Sequence, residues 1–89
     1  MKLKSGFLLR EVAGESVVIP LGGTAGNFGG MLRLNETGKL LWAKLEKGAS
    51  REELLAAVLA EYEVEENVAA ADIDKFLQKL QQNGMLEEE

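Results

Sequence analysis

With 89 residues, 46% of them hydrophobic, and a net charge of −5, the chain suffices for one core and leaves no room for a second, so residues 1–89 read as a single domain. Cysteine and histidine are both absent, which removes disulfides, thiolate nucleophiles and the commonest general base and metal ligand. No apolar run approaches the roughly 18 residues of a membrane span, and the basic start Met1-Lys2-Leu3-Lys4 lacks the long apolar region and cleavage site of a signal peptide, so a cytoplasmic protein is expected.

In chain order, Phe7–Val12 reads as a strand. Ala13-Gly14 is a turn signal, and Glu15–Leu21 reads as the hairpin partner. The β-branched run Val17-Val18-Ile19 favours a pleated surface. Pro20 removes a ladder donor and ends the strand or places it at an edge. Residues Gly22–Gly30 form a loop with five glycines, and Met31–Leu34 is a third strand. Asn35 is a good N-cap for a helix over Asn35–Lys47 with apolar residues at Leu41, Trp42 and Leu45, and Gly48 is a suitable stop. Ser50-Arg51-Glu52-Glu53 matches a capping box. The helix behind it sets Leu54, Leu55, Val58, Leu59 and Tyr62 on one core-facing stripe. A third helix from about Glu65 to Asn83 presents Ala69, Ile73, Phe76, Leu77 and Leu80, and Gly84 ends it. Met85 and Leu86 are expected to fold back onto the core, with Glu87-Glu88-Glu89 a solvated tail. The order predicts an α+β fold, a small antiparallel sheet against three helices.

The chemistry such a chain can carry is narrow. The loop Gly22-Gly23-Thr24-Ala25-Gly26-Asn27-Phe28-Gly29-Gly30 lacks the lysine and the strand-to-helix setting of a phosphate loop. Glu52/Glu53, Glu65/Glu66 and Asp72/Asp74 read as helix-start charges and solvated surface. Asp72 and Asp74 lie about 200° apart around a helix and do not converge. With no catalytic pair and no metal constellation, neither an enzyme nor a bound cofactor or metal is expected. Trp42 and Phe76 read as core aromatics, with a lesser alternative that one of them borders a ligand groove. Three helices after strands also suggest a winged-helix DNA binder. The charge opposes it: residues 1–34 sum to +2, 35–64 to −2 and 65–89 to −5, so the third helix would repel phosphates.

The segments Lys4-Ser5-Gly6-Phe7, Leu34-Asn35-Glu36-Thr37-Gly38 with Leu41-Trp42, Tyr62-Glu63-Val64, and Asp72-Ile73 with Phe76-Leu77, Leu80 and Gly84-Met85-Leu86 resemble the PqqD family, whose founding members act in pyrroloquinoline quinone biosynthesis. The resemblance covers nearly the whole chain. It implies a winged-helix-like peptide chaperone, with a three-stranded antiparallel sheet followed by three helices. Such a domain binds the leader of a ribosomally made precursor peptide as an extra strand and presents it to a modifying enzyme, often a radical S-adenosylmethionine enzyme. Carried onto this chain, the strand wall of the site is Gly30, Met31, Leu32, Arg33 and Leu34, and the helix wall draws on Asp72, Lys75, Phe76 and Lys79. The stretch Leu41-Trp42-Ala43-Lys44-Leu45 is closer to the broad family than to its quinone-dedicated members, which leaves the product open.

The residues themselves agree with strand addition. A short strand after a glycine-rich loop keeps one edge unpaired, and an unpaired edge templates another strand. Alternation puts Leu32 and Leu34 on one face and Met31 and Arg33 on the other. The leucines are expected inward, because Arg33 is costly to bury. Arg33, Lys75 and Lys79 are candidate partners for leader acids. A DNA-binding winged helix and a structural module that dimerises through the same edge are the alternatives, so the chain is expected to be a monomer or a weak homodimer, without nucleic acid or membrane as partner.

Overall fold

A computed structural model describes residues 1–21 and 32–87. The elements are β1 (Lys2–Leu3), β2 (Phe7–Val12), β3 (Glu15–Pro20), β4 (Leu32–Leu34), α1 (Glu36–Lys47), α2 (Arg51–Glu61), α3 (Glu66–Gln82) and β5 (Leu86–Glu87). The expected loop over Gly22–Gly30, together with Met31 and the last two glutamates, lies outside the described residues.

Strands β2, β3 and β4 form one antiparallel sheet in that order. Val12 stands opposite Glu15, so the β2–β3 connection is the two-residue turn Ala13-Gly14. Both of its residues have positive φ, 53° and 81°, as the tight turn matching strand twist requires. In the second pairing Val18 stands opposite Leu32, Val17 opposite Arg33 and Ser16 opposite Leu34. Period-two alternation then gives the sheet an inner face of Phe7, Leu9, Val18, Leu32 and Leu34, all in or packed against the core. Arg10, Val17 and Arg33 share one row on the outer face.

The helices start where their caps dictate. The Asn35 side chain accepts from the Gly38 N–H at 2.8 Å. Ser50 and Glu53 form the reciprocal capping box, with the Glu53 N–H donating to Ser50 Oγ at 3.1 Å and the Ser50 N–H to Glu53 Oε1 at 3.0 Å. Helix α1 buries Leu41, Trp42 and Leu45, α2 buries Leu54 and Val58, and α3 buries Ala69, Ile73, Leu77 and Leu80. Two exposed ion pairs also link the elements. Lys39 of α1 donates to Glu11 of β2 at 2.8 Å. Arg51 at the start of α2 donates to both carboxylate oxygens of Asp74 in α3, at 2.7 and 2.9 Å.

Three sequence expectations need correction. Strands β1 and β5 pair as a second, two-stranded sheet, with Lys2 opposite Glu87 and Leu3 opposite Leu86. Glu87 therefore belongs to a strand rather than a solvated tail, and the pairing carries Met85 and Leu86 into the core. Leu59 and Tyr62 are each 36% exposed. At about 100° per residue Leu59 points some 120° away from the Leu54–Val58 direction, and Tyr62 closes the helix end. Phe76 is only partly buried, whereas Trp42 is 2% exposed. Only Trp42 is thus a core aromatic in full, and Phe76 lies at the border of a cavity.

Candidate functional site

That cavity, about 270 Å³, opens between β4, the start of α1 and one flank of α3. Strand β4 supplies Leu32, Arg33 and Leu34, and α3 supplies Asp72, Phe76 and Lys79. The spacing of the α3 residues, i, i+4 and i+7, places them on one helix flank within about 60° of arc. The buried stripe of Ala69, Ile73 and Leu80 is turned toward the core beside them. Lys75 lies about 40° further round toward solvent, and it does not line the cavity. Gly30 and Met31 lie outside the described residues. Of the nine residues assigned to the site from the sequence, six therefore meet around one space.

The start of α1 adds Asn35, Thr37, Gly38 and Leu41 to the lining. The sequence reading gave Asn35 the work of capping the helix, Leu41 a place on its apolar face, and Thr37 and Gly38 a part only in the family resemblance. Their position follows from the cap itself. Asn35 directly succeeds β4, so the first helical turn must lie against the strand's end. Gly38 shows how close the approach is. A Cβ there would come within 3.3 Å of Leu34 Cβ and 3.3 Å of Asn35 Oδ1.

Charge divides the site. Asp72 and Lys79 stand at the two ends of the α3 flank, with Phe76 between them, and both are exposed. Asp74 is held by Arg51 on the α2 side, so the two aspartates diverge. The hydrogen bonds from Arg51 hold the Asp74 carboxyl below the usual carboxylate range. Arg33 extends from the outer face with its side chain 75% exposed, and its carboxylate partner, Glu15, is 3.6 Å away. Among the described residues no group of three or more acidic, histidine or cysteine side chains is placed to hold a metal ion, and no helix is long and apolar enough to cross a membrane. The site offers a strand edge, an apolar floor and two opposed charges, features that suit the binding of a ligand.

The architecture is that of an α+β domain whose third sheet strand has one edge without a strand partner among the described elements. The family model of coenzyme PQQ synthesis protein D (PqqD) matches residues 15–86, and the chain belongs to the PqqD family. Two solved structures are similar over nearly their whole length. One is TbiB1 in complex with the TbiA(beta) leader peptide, at 28% identity and a TM-score of 0.78, covering 100% of this chain and 98% of that one. The other is lasso peptide synthetase B1 complexed with its leader peptide, at 26% identity and a TM-score of 0.75, covering 98% and 96%. No curated protein sequence matches the chain.

Proposed function

We propose that this chain is a recognition domain for the leader of a ribosomally made precursor peptide. The leader adds as a strand along the edge of β4 that no described strand pairs, with side chains entering the cavity toward α3, and the domain presents it to a modifying enzyme. The observation that carries this reading is the juxtaposition of an edge strand, Leu32–Leu34, with a helix flank whose central residue is the half-buried Phe76. Both similar solved structures are of proteins in complex with leader peptides, which supports the same ligand class here. The cavity of about 270 Å³ falls below the ~300–1,000 Å³ usual for a whole small-molecule ligand. It suits the few side chains that one stretch of peptide would contribute.

Energetics assign the work. Each backbone hydrogen bond nets about 0.5–1.5 kcal/mol, while association costs at least ~4 kcal/mol before the peptide is ordered. The three described residues of this edge cannot reach micromolar affinity, about −8 kcal/mol, on backbone pairing alone. Apolar burial against Leu32, Leu34 and Phe76 supplies the difference. Family membership points to a radical S-adenosylmethionine enzyme as the partner and to pyrroloquinoline quinone or another peptide-derived product. The domain itself performs no chemistry in this reading.

Calorimetry tests it, using the leader encoded by a short peptide gene beside the modifying enzyme's gene. Phe76→Ala should weaken binding at least about tenfold, since burial of a large apolar side chain contributes about 1.5–3 kcal/mol. Lys79→Glu should change both affinity and its salt dependence, whereas Lys75→Glu should change neither appreciably. Unaltered binding by a folded Phe76→Ala protein would refute the groove.

A further inference from the structure

The register of the sheet says more about the occupant than that it is a strand. In adjacent strands, side chains in one row point to one face. On the inner face one row runs Leu9, Val18, Leu32 and another ends at Leu34. On the outer face the row runs Arg10, Val17, Arg33. A strand added beyond β4 continues each row in either direction of travel. Its residue beside Arg33 lies on the outer face, about 4.8 Å from the Arg33 backbone. Its two flanking residues extend the rows of Leu32 and Leu34 into the cavity, toward Phe76.

We infer that the strand accepted at β4 carries an acidic residue between two apolar residues, with Arg33 reading the acid. This rests on strand addition as proposed above and specifies its register and side-chain chemistry. Arg33 is suited to the task because its existing ion pair is long and exposed, with Arg33 75% and Glu15 57% accessible at 3.6 Å. Arg10, the other cation of the row, stands one strand beyond Val17 and adds potential of the same sign. Val17 itself is 3% exposed, so the positive charge is set over low-dielectric ground. The inner positions meet the opposite demand. Leu32 is 6% exposed and Leu34 packs on the core, so an apolar side chain directed between them and Phe76 gains burial, while the charged groups of the lining, Asp72 and Lys79, stand at the ends of the α3 flank. Alternation lets one short segment satisfy both faces.

Selection from a peptide library provides the test. Display of ten randomised residues, panned against the wild-type chain, should enrich aspartate or glutamate between two apolar residues. Panning against Arg33→Glu should retain the apolar pair and replace the acid with lysine or arginine. One enriched peptide and its acid-to-lysine counterpart should differ in Kd by about three- to fivefold on the wild type, as exposed cross-strand ion pairs do, and should exchange order on Arg33→Glu. Glu15→Gln, which removes the competing carboxylate, should widen the wild-type preference. Enrichment of the apolar pair without a central acid, or the same acid preference on Arg33→Glu, overturns the charge rule and leaves strand addition standing. Absence of any alternating apolar pair overturns both.

Discussion

Single residues set both the strain in the sheet and the width of the groove. Ala13 occupies the first central position of the β2–β3 turn at φ 53°, where a Cβ is unfavourable and asparagine or glycine is preferred. Ala13→Asn should raise stability by up to roughly 1 kcal/mol, read as a higher urea midpoint with an unchanged slope. Gly38 carries a different constraint. Alanine in a helix is favoured over glycine by about 1 kcal/mol, but a Cβ here presses on Leu34 and on the capping oxygen of Asn35, each at 3.3 Å. The two effects oppose, so Gly38→Ala should leave the melting temperature little changed. Peptide affinity should nevertheless fall severalfold, because the residue that must yield, Leu34, lines the cavity. Parallel thermal and binding measurements separate the two outcomes.

Among the elements, the helices were legible because their signals are local. Asn35, and Ser50 with Glu53, cap where the sequence placed them, and the period of Ala69, Ile73, Leu77 and Leu80 survives as the buried stripe of α3. The β1–β5 pair was not legible. Each strand has two residues, too few for alternation, and the partners come from opposite ends of the described chain. The site was half legible for a similar reason. The residues themselves point to the edge strand, and the family resemblance supplied the helix wall of Asp72, Lys75, Phe76 and Lys79, whereas the placing of Lys75 outside the cavity and of Thr37 and Gly38 in its lining depends on how α1 and α3 pack around β4. The same links between elements govern the response to acid. The carboxyls of Glu11, held by the Lys39 hydrogen bond, of Glu53, held by the Ser50 N–H, and of Asp74, held by Arg51, all lie below their ordinary range. The unfolded chain therefore takes up these protons at higher pH than the folded one. The stabilisation is complete above the ordinary values, about 4.3 for glutamate and 3.9 for aspartate, and is lost as pH falls through the lower folded values. Urea midpoints measured across this range should drop on acidification, with a shallower drop in Asp74→Asn.

For the molecule as a whole, an edge strand that is open to a peptide is also open to a second copy. A two-fold antiparallel pairing that matches all three residues of β4 is centred on Arg33, and sets Leu32 opposite Leu34 of the partner and Arg33 opposite its own copy. Like charges directly opposite destabilise a strand pair, and two chains of net charge −5 repel at longer range. The backbone bonds along Leu32–Leu34 do not overcome these terms and the association cost of at least ~4 kcal/mol. We therefore expect a monomer at tens of micromolar. Arg33→Val removes the central repulsion and supplies a β-branched side chain in its place, so this variant should sediment with a concentration-dependent dimer component. Added peptide should dissolve that dimer, because both compete for one edge. A wild-type dimer that persists when peptide is bound would show that the copies meet elsewhere, and would separate the self-association surface from β4.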